Sequence, residues 1–404
     1  MSDRLVIRAR TLVSMAGEAP ARGEQLFAPL RKLDDAALVL VDGRVEEAVS
    51  WKRCSPPPGA EVRDLGDVCL APAVVNAHCH VQLSHLAGKT RWGAGFTAWL
   101  ESLIAHLREP LSAEAITEAC EDMAARGTGH VGDFAGEGLS LVDDAARRSG
   151  LGITHFCEWF GMDAPFIDAV RPWPPRCRAA LEQDEERPVA DISVPLEARC
   201  VPAGHALYST APEVLRDARQ WCAANGRVFA LHLAESPEET ELLLSGSGPL
   251  AELYQGIVLP DDWQAPGMRP LALAMKLGLM GAGTLAVHGV QLDAQEMTVL
   301  AASGAALCLC PRSNSHLGVG EAPFLSAVEN NVLCCLGTDG LSSNTDLDVR
   351  KEAVFLRETC DAPPEALLRL LTVNAAEALR LPCTGRLEPG QPGSFCVLPE
   401  ALSF

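Results

Sequence analysis

The chain is short of positive charge and has no C-x-x-C pair. It has no apolar run of membrane-spanning length and no G-x-G-x-x-G after an early strand. Thirty-three Lys and Arg stand against 53 Asp and Glu, a formal charge of −20. Most of the exterior would therefore repel a phosphate backbone, which argues against a nucleic-acid partner and leaves small molecules open. The 15 cysteines are odd in number and scattered, so they make no disulfide framework; Cys308 and Cys310, two apart in an apolar run, read as packing. The start, MSDRLVIRAR, lacks the apolar core of a signal peptide. Elsewhere charges or turn residues break every apolar stretch before the roughly 20 residues a membrane helix needs. The expectation is a cytoplasmic protein with no membrane partner. The missing glycine fingerprint removes a Rossmann oxidoreductase.

What is present is core. Hydrophobic residues make up 48% of 404 and charged ones 21%, enough for two domains or one large barrel with an appendage. Residues 1–66 hold short β-branched runs, LVIRARTLV and ALVLVDGRVEEAV, and the tail GRLEPGQPGSFCVLPEALSF has the same character. Between them, apolar runs alternate with helical patterns. The runs are 68–80, 127–134, 152–160, 192–201, 228–235, 283–290, 305–314 and 332–340. AEAITEACEDMAARG and PEVLRDARQWCAANG read as amphipathic helices ending in Gly. Near-continuous apolar strands are buried on both faces, as in parallel sheets. The expected fold is α/β, a (β/α)8 TIM-type barrel over 67–383, with a small β-sandwich from 1–66 and 384–404. Its active site belongs at the C-terminal strand ends.

Four of the ten histidines fall at those ends: His78 and His80 on the first run, His232 on the fifth and His288 on the sixth, with Asp339 closing the eighth. Residues two apart in a strand point the same way, so His78 and His80 can face one site. Imidazoles with a carboxylate suit zinc or a similar divalent ion and leave room for water. Glu235, three residues past His232, stands where a general acid/base is needed. It could also serve a helix N-terminus before SPEETE.

These residues resemble the amidohydrolase superfamily in its deaminase branch. The matching motifs are N-A-H-C-H (76–80), H-L-A-E-S (232–236), V-H-G-V (287–290), C-P-R-S-N (310–314) and G-T-D-G (337–340). L-T-V-N-A-A-E-A-L (371–379) and G-R-L-E-P-G-Q-P-G (385–393) fit the branch's usual ending. Q-L-S-H-L-A-G-K (82–89), G-F-T-A-W-L (95–100) and S-P-E-E-T-E with G-S-G-P-L-A-E-L are similar to aminodeoxyfutalosine deaminases of menaquinone biosynthesis. Methylthioadenosine/adenosylhomocysteine, guanine and cytosine deaminases and triazine hydrolases are alternatives within the branch. A barrel without catalysis is a remote one.

The resemblance implies that His78, His80, His232 and Asp339 bind one divalent metal, zinc or else iron. His288 would hold or polarise the attacking water, and Glu235 would move its proton to the ring. Asp339 would also assist the departing ammonia. Binuclear sites on such barrels use a carboxylated lysine on strand four; after residue 80 the lysines are Lys89, Lys276 and Lys351, none near that strand. His205, in G-H-A-L-Y-S, matches a P-H-A-P-Y-S-type turn that contacts substrate, with Gly204 and Leu207 replacing its prolines. Trp99 and Asn314 are further substrate-binding candidates. His85 and His316 fall near the same strand ends. A homodimer fits this barrel type.

Overall fold

The apolar runs form the wall of a parallel barrel in a computed structural model that describes residues 3–163, 172–185 and 194–404. Both chain ends contribute to a mixed sheet beside it. That sheet holds β1 (Arg4–Leu12), β2 (Leu33–Val41), β3 (Arg44–Ser50), β4 (Glu61–Asp64), β5 (Cys69–Pro72) and β14 (Phe395–Val397), in the order β14-β5-β1-β2-β3, with β4 also paired to β1. β5 is the front of the first apolar run, so that run serves two sheets. Ile7, Leu12, Leu38, Leu70 and Leu387 pack together on this sheet.

The barrel strands form two parallel sheets of four. The first contains β6 (Val74–Cys79), β7 (Thr128–Ala135), β8 (Gly152–Trp159) and β9 (Cys200–Gly204). The second contains β10 (Phe229–Leu233), β11 (Thr284–His288), β12 (Ala306–Leu309) and β13 (Leu333–Leu336). β6, β9, β10, β11, β12 and β13 are buried at every residue, as strands covered on both faces must be. The fourth run differs from the expectation. Leu196–Arg199 forms a single helical turn and β9 begins at Cys200, while residues 192 and 193 lie outside the described ones. A short apolar run does not separate a strand from a buried helical turn by periodicity alone.

Two seams join these half-barrels. At one, the His232 backbone N–H donates to the His205 carbonyl at 3.0 Å. At the other, Thr338 N–H donates to the His78 carbonyl at 3.0 Å, and the Asn76 side chain bonds Thr338 through both its amide groups, at 2.7 and 3.1 Å. The second seam needs a glycine. A Cβ on Gly337 would meet the His78 Cβ at 2.6 Å and its backbone nitrogen at 2.8 Å.

Helices cover the outside. α1 (Phe96–His106) lies over the barrel mouth, and α2 (Ala113–Ala125) begins where Ser112 accepts a bond from the Ala115 N–H. The predicted helix at 212–226 spans Pro212–Ala224. Among the described residues no helix is long and apolar enough to cross a membrane.

Candidate metal and catalytic site

The seams carry the site. His78 is inside β6, His80 just past it, His232 on β10, His288 at the end of β11 and Asp339 three residues beyond β13. His288 and Asp339 have φ of 75° and 61°, and Ala234, before Glu235, has φ of 52°. Left-handed backbone is costly for a side-chain-bearing residue, and three cases at neighbouring strand ends show that tertiary contacts hold these turns.

Three imidazoles and a carboxylate converge. Ligand atoms of His78, His80 and Asp339 lie within 4.8 Å of one another, as do those of His78, His232 and His288. His80 Nε2 and His232 Nε2 face each other at 3.3 Å. Asp339 Oδ1 is 3.5 Å from His78 Nε2 and 3.6 Å from His80 Nε2. Both ring nitrogens of His78 are buried without a hydrogen-bond partner. Orphaned polar atoms of this kind call for a partner the protein itself does not supply, and the donor set fits one divalent cation.

Electrostatics put these groups in ligand form. Burial pushes His78 down to about 4 and His232 well below the usual imidazole range, so both rings are neutral. Burial opposes ionisation of Asp339, but its contact with His78 and the neighbouring His80 and His288 outweigh it and hold its pKa far down. Neutral imidazole and ionised carboxylate are the forms that coordinate metals.

Around this core sits a second layer of bonds. Asp339 Oδ2 accepts from the Ser313 and Ser343 hydroxyls, both at 2.7 Å, and Oδ1 accepts from the Gly340 N–H at 2.8 Å. His232 Nδ1 bonds the His205 carbonyl at 2.9 Å, which fixes its tautomer with Nε2 toward the site. Glu235 Oε1 lies 3.6 Å from His288 Nε2. Burial, then the nearby Asp339, Glu239 and Glu238, raise the Glu235 carboxyl well above its usual range. Ser236 is the residue that caps the following helix, Pro237–Ser245, while the Glu235 N–H donates to Glu239 at 2.8 Å.

A cavity of roughly 300 Å³ opens above these groups, touching His80, His232, Glu235, His288 and Asp339. Its lining is largely apolar. Trp99, Leu100, Leu103 and Ile104 of α1 line it, with Leu107 just past the helix and Ile257 and Val258. Trp99 lines the wall and donates from Nε1 to the Ser342 carbonyl at 2.9 Å. His205 lines it too, its Nδ1 bonded to Ser209 at 2.6 Å. Asn314 is placed differently from the substrate-contact expectation. It is fully buried behind His288 and bonds that ring's Nδ1 at 3.1 Å. His316 stacks on Trp92 and His85 bonds the Gln82 carbonyl; neither lines the cavity.

One carboxylate of the cavity, Glu158, escaped the sequence reading. Glu158, at the end of β8, is 4% exposed, and its Oε1 lies 3.7 Å from His232 Nδ1 without a hydrogen bond. Burial, against the charges of His80 and Arg176, raises it to about 7. The only signal in the sequence was its place at a strand end.

The barrel and site define a metal-dependent hydrolase with its chemistry at the C-terminal strand ends. The amidohydrolase family pattern matches residues 69–402, and the chain belongs to that family. It is 28% identical to a 5-methylthioadenosine/S-adenosylhomocysteine deaminase of Nitratidesulfovibrio vulgaris, covering 91% of this chain and 80% of that one. It is 26% identical to an aminodeoxyfutalosine deaminase of Deinococcus radiodurans, covering 83% and 79%. Its fold matches a zinc-bound adenosine deaminase from Xanthomonas campestris with a TM-score of 0.72, at 22% identity over 97% and 83% of the two chains.

Proposed function

We propose that the protein deaminates an adenine-type nucleoside by hydrolysis, and that the nucleoside carries an extended 5′ group. Aminodeoxyfutalosine and methylthioadenosine both meet that description. The observation that carries the reading is Glu235 beside a convergent His78, His80, His232 and Asp339 set, with Glu235, His80, His232 and Asp339 lining a largely apolar cavity. The two relatives named above are deaminases of nucleosides of that kind, which supports the same class here.

His78, His80 and His232 through ring nitrogens, with Asp339 through Oδ1, would hold the ion, zinc being the best fit to this nitrogen-rich set. A bound divalent cation supplies Lewis-acid activation of water at neutral pH. Glu235 takes a proton from water at its carboxylate and delivers it to the ring nitrogen beside the attacked carbon. Its raised proton affinity suits a group that holds the proton between those steps. His288 Nε2 orients the attacking oxygen. Asp339 takes the remaining proton from the hydroxyl added to the ring carbon and passes it to the amine, which leaves as ammonia as the carbonyl forms, so water and substrate yield a ring carbonyl and ammonia.

The test is ammonia release by metal-analysed protein from aminodeoxyfutalosine, methylthioadenosine, adenosine, guanine and cytosine. Chelator-sensitive turnover of a nucleoside supports the reading. Turnover of free bases alone, or none with metal bound, overturns it.

A further inference from the structure

We infer that Glu158 is a specificity-determining residue that binds the sugar hydroxyls of the nucleoside. The inference rests on the nucleoside reading above. Glu158 lines the cavity, its Oε1 is buried, and that atom has no hydrogen-bond partner. His232 does not supply one, because its Nδ1 bonds the His205 carbonyl at 2.9 Å. Arg176, the cation on this wall, places its Nε and Nη2 on the backbone carbonyl of Glu158 at 3.2 and 2.7 Å. It therefore fixes where the residue sits and leaves the carboxyl free to face the cavity. A buried carboxyl oxygen without a partner is expensive, and a ligand that brings a donor removes that cost.

The chemistry of the ring decides which donor. Glu235 serves the ring nitrogen beside the reacting carbon, and Asp339 serves the amine. An adenine ring that makes those two contacts has used its one donor group, the amine, and Glu158 stands near the end of β8 among the residues lining the same cavity. The other ring nitrogens of an adenine nucleoside only accept hydrogen bonds. The donors left are the sugar hydroxyls, and an acidic side chain accepting from ribose hydroxyls is a recurrent solution in nucleotide sites. The cavity is also lined by Leu100, Leu103, Ile104 and Leu107, which have nothing to give a hydroxyl. A free base or a triazine would leave Glu158 unpaired, so the same residue selects against them.

The test compares kcat/KM of the metal-loaded protein for adenosine, 2′-deoxyadenosine and 3′-deoxyadenosine in wild type, Glu158→Gln and Glu158→Ala, with metal content measured for each. Wild type is expected to disfavour at least one deoxy substrate by about 10- to 100-fold. In Glu158→Ala that ratio is expected to collapse to within about threefold of unity at unchanged metal content. Glu158→Gln, isosteric and still able to accept, is expected to lower it part of the way, and it carries the test if the alanine variant does not fold. A wild type indifferent to both hydroxyls, or a ratio that survives the substitutions, overturns the inference and leaves nucleoside deamination standing. Wild type inactive on every nucleoside overturns both readings, a distinct result.

Discussion

Asn314 Nδ2 donates to His288 Nδ1 at 3.1 Å, and this leaves His288 Nε2 facing Glu235 Oε1 at 3.6 Å. The amide selects the tautomer and aims the ring at the proton-transfer group. Asn314→Ala is expected to lower kcat by about 10- to 100-fold, the usual loss for a residue that orients a site imidazole. Metal content should hold. Steady-state kinetics with metal analysis checks this, and an unchanged kcat would remove Asn314 from the mechanism.

Glu235→Gln keeps the shape of the side chain and removes its proton chemistry. Turnover should fall by about 10²–10⁴-fold while fold and metal content remain. Retained turnover in a folded, metal-loaded variant would show that another group moves the proton.

His78 is fully buried and both of its ring nitrogens lack protein partners. His78→Ala should therefore leave the purified protein with much less metal, and chelation of the wild type should abolish activity reversibly. A full metal complement in the variant would break the ligand assignment.

Leu103 stands on the α1 wall of the cavity. Leu103→Asn is expected to raise KM for methylthioadenosine several-fold, roughly the effect of exposing part of one apolar group to a polar wall. Adenosine, which lacks the thioether, should respond less. Equal responses would place the 5′ group elsewhere.

His155 on β8 bonds Asp133 on β7 at 2.9 Å and approaches Asp143 at 3.4 Å, while Arg199 clasps Asp143 at 2.7 and 2.8 Å. Burial lowers the His155 pKa, but Asp133 and Asp143 outweigh it and hold it at about 9, against 6.5 ordinarily. A group raised on folding gives stability that is complete below its unfolded pKa and lost as pH climbs through its folded one. The stabilisation from His155 is thus full below about 6.5 and fades up to about 9. In thermal melts, the Tm gap between wild type and His155→Gln should narrow over that range. A constant gap would mean the imidazole is neutral throughout.

The barrel was legible because parallel strands buried on both faces write themselves as apolar runs, and strand-end histidines stand out at their ends. Leu196–Arg199 was not, since four residues carry no period that tells a helical turn from a strand. Asn314 could be placed near the site from C-P-R-S-N, but which side of His288 it occupies depends on how the helix Pro311–Leu317 leaves β12. Glu158 was invisible for a different reason. A lone glutamate before a tryptophan is ordinary until its burial and missing partner are known.

The two half-barrels meet where the proposed ligands stand, with His78 and His80 on the first sheet and His232 and Asp339 carried by the second. An ion shared by those four side chains would be a rivet as well as a reagent. Scarcity of the metal would then cost the cell more than catalytic turnover. The unloaded chain would lose the tie across its own seams, and its lifetime against unfolding and proteolysis would follow the supply of the ion.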